Sequence, residues 1–361
     1  MRPLQGITVL DFSTLLPGPL ATLILAEAGA EVIKIERPGI GDEMRTYEPR
    51  FGRDSVNFAL LNRGKRSIAI DLKAEGAKRL EPLLRRADVL VEQFRPGVME
   101  RLGLGYDALK ALNPRLIYCA ITGYGKDGPR AQQAGHDLNY QADTGMLMLS
   151  AGTDGAPVIP PALIADIGGG AYPAVMNILF ALQARAKTGE GCRLDISMAD
   201  NLFPFMYWAI GNGLAAGRWP KPGGEHVTGG SPRYQIYRTA DDKFVAAAPL
   251  EQRFWEVFCG ELGLDPATAT RDTVAAVIRA RPGAEWQRRF AGKDLCCTVA
   301  ATIEAALADP HFVSRGLFAW GVSGEGRITA TPVPVDPAFR AAPGDAPYPA
   351  LGEANDLLGP G

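Results

Sequence analysis

The chain has 361 residues, of which 47% are hydrophobic and 22% charged, so it is long enough for two or three compact domains of ordinary globular composition. This composition excludes a disordered, collagenous or coiled-coil protein. Lysine and arginine total 38 against 40 aspartates and glutamates, and the formal charge of -2 gives no broad attraction to nucleic acid or to an anionic membrane. Any anionic ligand must therefore be held by local groups.

The five cysteines indicate a reducing, cytoplasmic setting, because they are too few and too scattered for a disulfide framework. Asp11 interrupts the apolar residues of the N-terminal region, and no small-residue cleavage signal follows it. We count no uncharged apolar stretch of the roughly 18 residues that a membrane helix needs. We therefore expect a protein that is neither secreted nor membrane-spanning.

The first third of the chain alternates short β-branched or aliphatic runs with helical patterns, which predicts a parallel sheet covered by helices. The predicted strands are residues 7–12, 31–35, 67–71, 88–92 and 115–121, and the predicted helices are 17–28 and 74–86. The predicted fold class is α/β, with a Rossmann-like large domain built on a parallel sheet and a smaller α+β domain.

The segment 160–187 is long and mostly apolar, and it contains Asp166 and the glycines 168–170 before a helical pattern resumes at Tyr172. Each glycine in a helix interior costs about 1 kcal/mol relative to alanine. Three together predict either a close approach of the backbone to a ligand or tight packing against another helix.

Residues 217–232 are rich in glycine, proline and lysine, which predicts a linker or mobile loop. Strand-like runs at 234–238 and 244–247 predict a β-hairpin, helical patterns continue from 251 to about 307, and the tail after Phe318 is strand-like and then extended. The predicted domains are a large Rossmann-like domain at 1–200, a helix and linker at 201–230, a small domain at 231–317 and a return segment that packs on the large domain at 318–361.

Several common chemistries are disfavoured by missing motifs. The three histidines, His136, His226 and His311, have no metal-binding spacing and no CxxC pair accompanies them. The sequence has neither a GxSxG elbow nor a P-loop, and the turn at 13–19 after the first strand lacks the GxGxxG of a dinucleotide site. We therefore expect no metal and no nicotinamide cofactor.

Two arginines follow predicted strands. Arg37 comes after the second strand and Arg95 after the fourth, at the sheet edge where α/β folds bind ligands and where a guanidinium can hold a phosphate with two hydrogen bonds. For each of them a solvated surface charge is an equally good interpretation.

His136 and Asp137 lie between a glycine-rich loop, 123–129, and a helical run, 138–149. An imidazole near a helix start can exchange protons near neutral pH, and the free N–H groups there can stabilise negative charge on a nearby oxygen. The alternative is that Asp137 only caps the helix and His136 makes a local hydrogen bond.

Asp166 is a carboxylate in an apolar stretch, which costs several kcal/mol unless the group is paired, hydrogen-bonded or protonated. It is either a helix N-cap or a catalytic group, and the residue type alone does not choose between the two.

The motifs around these residues resemble those of the family III coenzyme A transferases (CaiB/BaiF type) nearly from end to end. The resemblance covers 6–38 with its PGP turn and ERPG ending, LNRGKR at 61–66, FRPGVMERLGLGY at 94–106 and TGYGKDGP at 122–129. The stretch GHDLNY at 135–140, together with Asp166, is similar to the racemase branch of that superfamily, because the transferases usually lack this histidine.

The resemblance implies an acyl-CoA racemase or epimerase acting on a 2-methylacyl-CoA thioester. His136 and Asp166 would deprotonate and reprotonate the α-carbon on opposite faces through an enolate, whose oxygen the backbone N–H groups at Asp137 would hold. Glu251, from the small domain, would orient the histidine, although ordinary N-terminal helix charge is its simpler interpretation. No cofactor is implied, since coenzyme A is part of the substrate.

The resemblance also implies that Arg37, Arg63 and Arg95 lie near the CoA nucleotide and its phosphates, and that Tyr124 and Tyr140 line the pocket. It further implies an interlocked homodimer with an acyl-CoA substrate, and no nucleic acid or membrane partner.

Two other functions compete with the racemase. In a CoA transferase, Asp166 would attack the thioester as a nucleophile and form an acyl-aspartate anhydride, and His136 would be a spectator or would position the substrate. A CoA-binding protein that has lost its chemistry is the third interpretation, although His136, Asp166 and Glu251 together favour an enzyme.

Overall fold

The computed structural model describes residues 1–152 and 154–359. The chain folds into two compact units: unit 1 comprises Met1–Thr144, Pro161–Phe205 and His311–Gly361, and unit 2 comprises Gly145–Pro160 and Met206–Pro310. The four domains drawn from the sequence stay a prediction.

The elements in the described residues are as follows. The strands are β1 Thr8–Asp11, β2 Glu31–Glu36, β3 Arg50–Phe51, β4 Asp54–Ser55, β5 Arg66–Ala69, β6 Val89–Glu92, β7 Ile117–Thr122, β8 Arg193–Ser197, β9 Gln235–Arg238, β10 Phe244–Ala247, β11 Cys297–Val299, β12 Gly321–Gly324, β13 Gly326–Thr329 and β14 Asp345–Pro347. The α-helices are α1 Pro17–Glu27, α2 Val56–Asn62, α3 Ala77–Arg86, α4 Val98–Arg101, α5 Tyr106–Leu112, α6 Asp137–Asp143, α7 Tyr172–Thr188, α8 Tyr207–Ala216, α9 Gln252–Leu262, α10 Arg271–Arg279, α11 Gly283–Phe290, α12 Ile303–Leu307 and α13 Pro310–Ser314. Short 3-10 turns occur at Glu43–Thr46, Met146–Leu149, Asp200–Met206, Pro337–Phe339 and Asn355–Leu357, and π-helical turns at Leu72–Gly76 and Ala165–Ala171.

A parallel sheet of six strands forms the core of unit 1, in the order β5-β2-β1-β6-β7-β8. This is the doubly wound order 3-2-1-4-5-6 of Rossmann-like folds, and it confirms the predicted parallel α/β sheet. Leu10, Ile33, Leu90 and Tyr118 pack with α3 and α5 in one buried cluster, and α1 and α7 cover the sheet from the other side. Burial on both faces explains why apolar residues predominate in the central strands β1, β6 and β7.

The chain departs from two of the predicted helical stretches. The predicted run 138–149 is broken, because α6 ends at Asp143 and Gly145 adopts a left-handed φ of 83° before the turn Met146–Leu149. The predicted helical region 251–307 contains β11, a three-residue strand too short to give a periodic signal.

Unit 2 is built on an antiparallel sheet in the order β11-β10-β9. The predicted hairpin is confirmed, since β9 and β10 pair with Val245 opposite Tyr237. Helices α9 to α11 pack on this sheet through Trp255, Phe258 and Trp286, which are almost wholly buried.

A small mixed sheet, β13-β12-β14, forms part of unit 1 and contains the strand-like tail. Val322 and Tyr348 pack there against Phe51 and Phe58, and the Tyr348 hydroxyl donates to the Phe51 carbonyl at 2.6 Å.

The helix Ala165–Thr188 is, among the described residues, long and apolar enough to cross a membrane. The expectation that no stretch of this length and composition occurs is therefore wrong; the length arises because the π-helical turn runs directly into α7. One such helix is weak evidence, since the core helix of a soluble protein passes the same test. Here the helix packs against α1, β7 and β8, and 44% of its most apolar window is buried, so this packing accounts for part of its apolar composition.

Candidate active site

The crevice where the strand order reverses lies between β1 and β6, at the carboxyl ends of the strands, and this is where doubly wound folds bind ligands. A cavity of about 420 Å³, which we call the small cavity, opens there. Its wall includes Leu15 and Pro17 after β1, residues 93–96 after β6 and Gly123 after β7. The topology of the sheet therefore places the small cavity.

His136 precedes α6 and lines the small cavity. Its N–H donates to Asn139 Oδ1 at 3.0 Å and its carbonyl accepts from the Asn139 N–H at 2.8 Å, so the backbone is held on both sides. The imidazole itself belongs to an exposed residue on the cavity wall. It is therefore accessible to a ligand.

Asp166 lies in the π-helical turn Ala165–Ala171 and lines the same cavity as His136. The pKa of its carboxyl is raised from 3.8 to about 6, first by burial and then by the negative charge of Asp137, while His136 opposes the rise. The N-cap interpretation of Asp166 is wrong, because Ile164 occupies that position and has no capping side chain. The carboxyl is thus a group able to hold or release a proton near neutral pH.

The glycines 168–170 allow close packing between parts of the protein. A Cβ at Gly168 would lie 2.8 Å from Phe205 Cζ, one at Gly170 would lie 3.1 Å from Pro17 Cβ, and one at Gly169 would overlap the carbonyl of Met198. The close neighbours are α1 and the segment after β8, so the predicted tight packing is confirmed. This packing fixes the turn that carries Asp166.

Asp137 is buried, and its carboxylate does not cap its own helix. Oδ1 accepts from the N–H groups of Ala165 at 2.6 Å and Asp166 at 3.0 Å, and Oδ2 accepts from Gln141 Nε2 at 2.6 Å. The side chain therefore satisfies the free N–H groups at the start of another helical segment. Among the described residues, the backbone N–H groups of Asp137 and Leu138 at the start of α6 donate to no protein acceptor.

Tyr140 lines the small cavity, whereas Tyr124 is not part of its wall and contacts Tyr140 instead. The Tyr140 hydroxyl donates to the Gly135 carbonyl at 2.6 Å, and its ring meets that of Tyr124 edge-on at 5.2 Å between centroids. The Tyr124 hydroxyl donates to Asp143 Oδ2 at 2.6 Å. Burial, followed by the charge of Asp166, raises the pKa of Tyr140 to about 12, so this hydroxyl remains protonated.

A second cavity of about 1070 Å³, the large cavity, lies at the ends of β2 and β5. Arg37 lines it, and so do Lys73 and Arg101, which the sequence analysis missed. Lys73 comes four residues after β5, and the rule that drew attention to Arg37 could have found it. Phe94 belongs to the walls of both cavities.

The other two predicted arginines are placed differently. Arg95 lines the small cavity and not the large one. Arg63 lies outside both walls: its guanidinium is buried, and it donates to Glu27 Oε1 at 2.9 Å and to the Thr331 carbonyl at 3.0 Å. Burial lowers the pKa of Arg63, and Glu27 counteracts that effect.

Glu251 belongs to unit 2, where it is exposed at the N-cap of α9. Its carbonyl accepts from the N–H groups of Phe254 and Trp255, and its carboxylate makes no capping hydrogen bond. Its role towards the histidine stays a prediction.

A buried ion pair, which the sequence analysis did not single out, supports the turn after β1. Lys34 Nζ lies 3.0 Å from Asp42 Oδ2, and neither side chain is exposed. Lys34 also donates to the Ser13 carbonyl at 2.7 Å, and both Asp42 oxygens accept from the Leu15 N–H at 3.2 Å. Leu15 has a φ of 62°, which is rare for a residue with a side chain. The pair thus holds one wall of the small cavity in a strained conformation.

No group of three or more histidine, cysteine, aspartate or glutamate residues in the described part of the chain is arranged to hold a metal ion.

Comparison with known proteins gives consistent results. The family model CoA-transferase family III matches residues 4–355. The chain is 35% identical over 371 residues to alpha-methylacyl-CoA racemase of Homo sapiens, covering 98% of this chain and 92% of the relative. It is 38% identical over 270 residues to acetyl-CoA:oxalate CoA-transferase of Acetobacter aceti, covering 74% and 68% respectively. The crystal structure of a CAIB/BAIF family protein from Brucella suis superposes with a TM-score of 0.82 at 29% identity over 98% of each chain.

Proposed function

We propose, since the chain belongs to CoA-transferase family III, that it is an acyl-CoA racemase or epimerase that acts at the α-carbon of a 2-methylacyl-CoA thioester by 1,1-proton transfer. The observation that carries the proposal is that His136 and Asp166 line one small cavity. Two groups that exchange protons near neutral pH, facing one carbon, are what inversion by proton transfer requires.

The two cavities support a CoA thioester as the substrate. Arg37, Lys73 and Arg101 line the large cavity, where they would offer hydrogen bonds and positive charge to the phosphates of a nucleotide. Four acidic residues share this wall, and two of them are already paired, Asp42 with Lys34 and Glu36 with Arg45. Phe94 belongs to both walls, so the two cavities adjoin at this residue, as binding of one extended ligand to both would require. A CoA thioester has this form, with phosphates at one end and the reacting carbonyl at the other.

The chemistry follows from the thioester. Its carbonyl acidifies the α C–H, so one group removes that proton while an enolate forms, and the other group returns a proton to the opposite face. In one direction His136 is the base and Asp166 the acid, and in the other direction their roles are exchanged. A carboxyl with a pKa of about 6 suits both roles near neutral pH. The free N–H groups of Asp137 and Leu138 would stabilise the enolate oxygen.

Three further parts of the proposal come from family resemblance. Glu251 orients the imidazole of His136, the active form is an interlocked homodimer, and no cofactor is needed beyond the coenzyme A of the substrate. The dimer is supported by the outer face of α7, where Met176, Leu179 and Phe180 are 53%, 43% and 65% exposed. Sedimentation analysis tests it: we expect a dimer, and Phe180→Asp should weaken it. A wild-type monomer at micromolar concentration would contradict the dimer.

The alternative is a family III CoA transferase. In that mechanism an Asp166 oxygen bonds to the thioester carbonyl carbon and the C–S bond breaks, which gives an acyl-aspartate anhydride and a CoA thiolate. A second acid then attacks the aspartyl carbonyl and displaces the first acid as its carboxylate. The thiolate finally attacks the acyl carbon of the second acid, which forms the new thioester and frees the Asp166 carboxylate. The likeness to an acetyl-CoA:oxalate CoA-transferase favours this alternative. Both mechanisms use Asp166, but only the racemase uses His136 as an acid and base.

Deuterium wash-in separates these functions. The protein is incubated with 2-methylbutanoyl-CoA in D2O, with and without added acetate, and the α-position is analysed by mass spectrometry. We expect α-deuterium without any acceptor acid and no hydroxamate at Asp166 after treatment with hydroxylamine. Transfer of CoA to acetate together with an Asp166 hydroxamate would establish the transferase, and neither reaction over several thioesters would favour a binding protein.

A further inference from the structure

The Asp137 carboxylate joins the starts of two helical segments that are far apart in the chain. It sits at the first position of α6, next to His136, and it is 4% exposed. Its Oδ1 accepts from the N–H groups of Ala165 and Asp166, and Gln141 Nε2 donates to its Oδ2. One buried side chain is therefore adjacent to one proposed catalytic group in sequence and hydrogen-bonded to the backbone of the other.

We propose that the Asp137 side chain is a positioning residue, which ties the turn carrying Asp166 to the start of α6 and places a negative charge beside the Asp166 carboxyl. This inference rests on the proposed function and deepens it. The resemblance assigns only the backbone N–H at this residue to the reaction, whereas the hydrogen bonds give the side chain a separate task.

The negative charge of the Asp137 carboxylate affects the ionisation of Asp166, which a neutral capping side chain would not do. A neutral amide oxygen could also accept from the two N–H groups at the helix start. A carboxylate in addition disfavours ionisation of a carboxyl close to it. Asp137 is the second-largest contribution to the raised pKa of Asp166, after burial and ahead of the opposing effect of His136.

Few other charges face Asp166. Besides Asp137, α6 contributes Tyr140, whose pKa responds to Asp166, and Asp143, which accepts from the Tyr124 hydroxyl and pairs with Arg130. Arg95 in turn acts on Tyr140. The turn Ala165–Ala171 also packs against α1, α7 and β8. In α1, Glu27 forms an ion pair with Arg63. In α7, Arg185 pairs with Asp88, and Lys187 lies in the last turn. In β8, Arg193 lies beside Glu100, and Asp195 accepts from the Lys126 N–H. Asp137 is thus the acidic residue whose removal should change the titration of Asp166.

The test removes the negative charge at position 137 but keeps a side-chain oxygen that can accept from the two N–H groups. In Asp137→Asn the amide oxygen can still accept from the two N–H groups, and Gln141 can turn its own oxygen towards the new amide. Asp336→Asn is the matched control, because Asp336 accepts from the Ala338 N–H at 2.8 Å and lies outside both cavities. Asp137→Ser supplies a second neutral acceptor if the asparagine variant does not fold.

Two readouts are measured for each protein. The first is the pH dependence of α-proton exchange with 2-methylbutanoyl-CoA in D2O. The second needs no substrate: the pKa of Asp166 is obtained from the pH dependence of the stability difference between each protein and its Asp166→Asn derivative. We expect Asp137→Asn to shift the acidic limb of exchange, and the pKa from the second readout, down by about one pH unit. Asp336→Asn should shift neither.

The outcomes separate the two proposals. If Asp166 has the wild-type pKa in both Asp137→Asn and Asp137→Ser, the inference about Asp137 is overturned, whatever the activity of the variants. If no protein exchanges the α-proton but the pKa from stability falls in Asp137→Asn, the inference survives and the proposed racemase does not.

Discussion

His136 and Asp166 line the same small cavity, and the imidazole lowers the pKa of the carboxyl that burial raises. The two residues influence one another because the start of α6 and the turn Ala165–Ala171 are joined through Asp137. The two side chains therefore belong to one site, and the titration of Asp166 can be tested directly.

Asp166→Asn should stabilise the protein at neutral pH. The pKa of Asp166 rises from 3.8 in the unfolded chain to about 6 in the fold, so the wild type loses stability as the pH increases from about 4 to about 6. The asparagine side chain is neutral at every pH in this range, so the variant does not lose this stability. We expect an advantage on the order of 1–2 kcal/mol above pH 6, since partial exposure screens the full effect.

Urea unfolding at pH 4, 5, 6 and 7 measures this difference. The two proteins should have similar stability at pH 4 and diverge by pH 6. A constant difference across the range would show that the carboxyl titrates in the fold as it does in the unfolded chain.

His136→Ala and Asp166→Ala should each slow α-proton exchange by about 10²- to 10⁴-fold, the usual contribution of a general acid–base group. His226→Ala, in an exposed loop of unit 2, is the histidine control. The rates are read from deuterium incorporation into 2-methylbutanoyl-CoA. Exchange at the wild-type rate in either variant would remove that residue from the proposed mechanism.

Gly169→Ala should destabilise the protein by about 1–3 kcal/mol, because the new methyl group would overlap the Met198 carbonyl, which is backbone and cannot easily move. Gly260→Ala is the matched control: this glycine lies in α9 with open space around its missing Cβ. Alanine at position 260 should increase the free energy of unfolding by at most about 1 kcal/mol, because alanine favours the helix more than glycine does. Equal effects of the two substitutions on chemical denaturation would contradict the tight packing of the Asp166 turn.

Asp42→Ala should cost about 3–5 kcal/mol, because it leaves the buried Lys34 ammonium without its partner and frees the Leu15 turn. Asp356→Ala removes a carboxylate 3.9 Å from Arg66 on the surface, and it should change the free energy of unfolding by less than about 0.5 kcal/mol. Denaturant titration compares the two. A small effect of Asp42→Ala would mean that the turn after β1 is held by other contacts.

Lys73→Ala and Arg101→Ala should each raise the KM for 2-methylbutanoyl-CoA by about tenfold and leave kcat nearly unchanged, since a lost phosphate contact weakens binding in the ground state and the transition state alike. Lys78→Ala, an exposed cation on α3 outside both cavities, is the control. Initial rates over a range of substrate concentrations give both constants. A fall in kcat with unchanged KM would place these cations in the chemical step.

The sequence predicted the central sheet well for a physical reason. Strands such as β1, β6 and β7 are buried on both faces and are rich in β-branched and aliphatic residues, which stand out in the sequence. Strand β8 was missed because it is an edge strand whose Arg193 and Asp195 interrupt that signal.

The candidate site was less predictable because it depends on contacts between distant residues. The motifs drew attention to His136 and Asp166, but no local pattern shows that the Asp137 carboxylate bonds to residues 28 and 29 positions further along. The buried pair Lys34–Asp42 could not be found either, because a lysine in a strand gives no sign that its charge faces inward. Conversely, the motifs singled out Arg63 as a residue near the ligand, but its guanidinium forms an ion pair with Glu27.

The shared wall at Phe94 has a consequence for how this fold can diversify. Arg37, Lys73 and Arg101 line one cavity, His136 and Asp166 line the other, and Phe94 is the residue that both walls share. Under the proposed function, mutations around His136 would change the reaction without touching the residues proposed to bind the CoA phosphates. Such a modular layout gives one ancestral scaffold a short route to several thioester chemistries, as relatives named for racemisation and for CoA transfer illustrate.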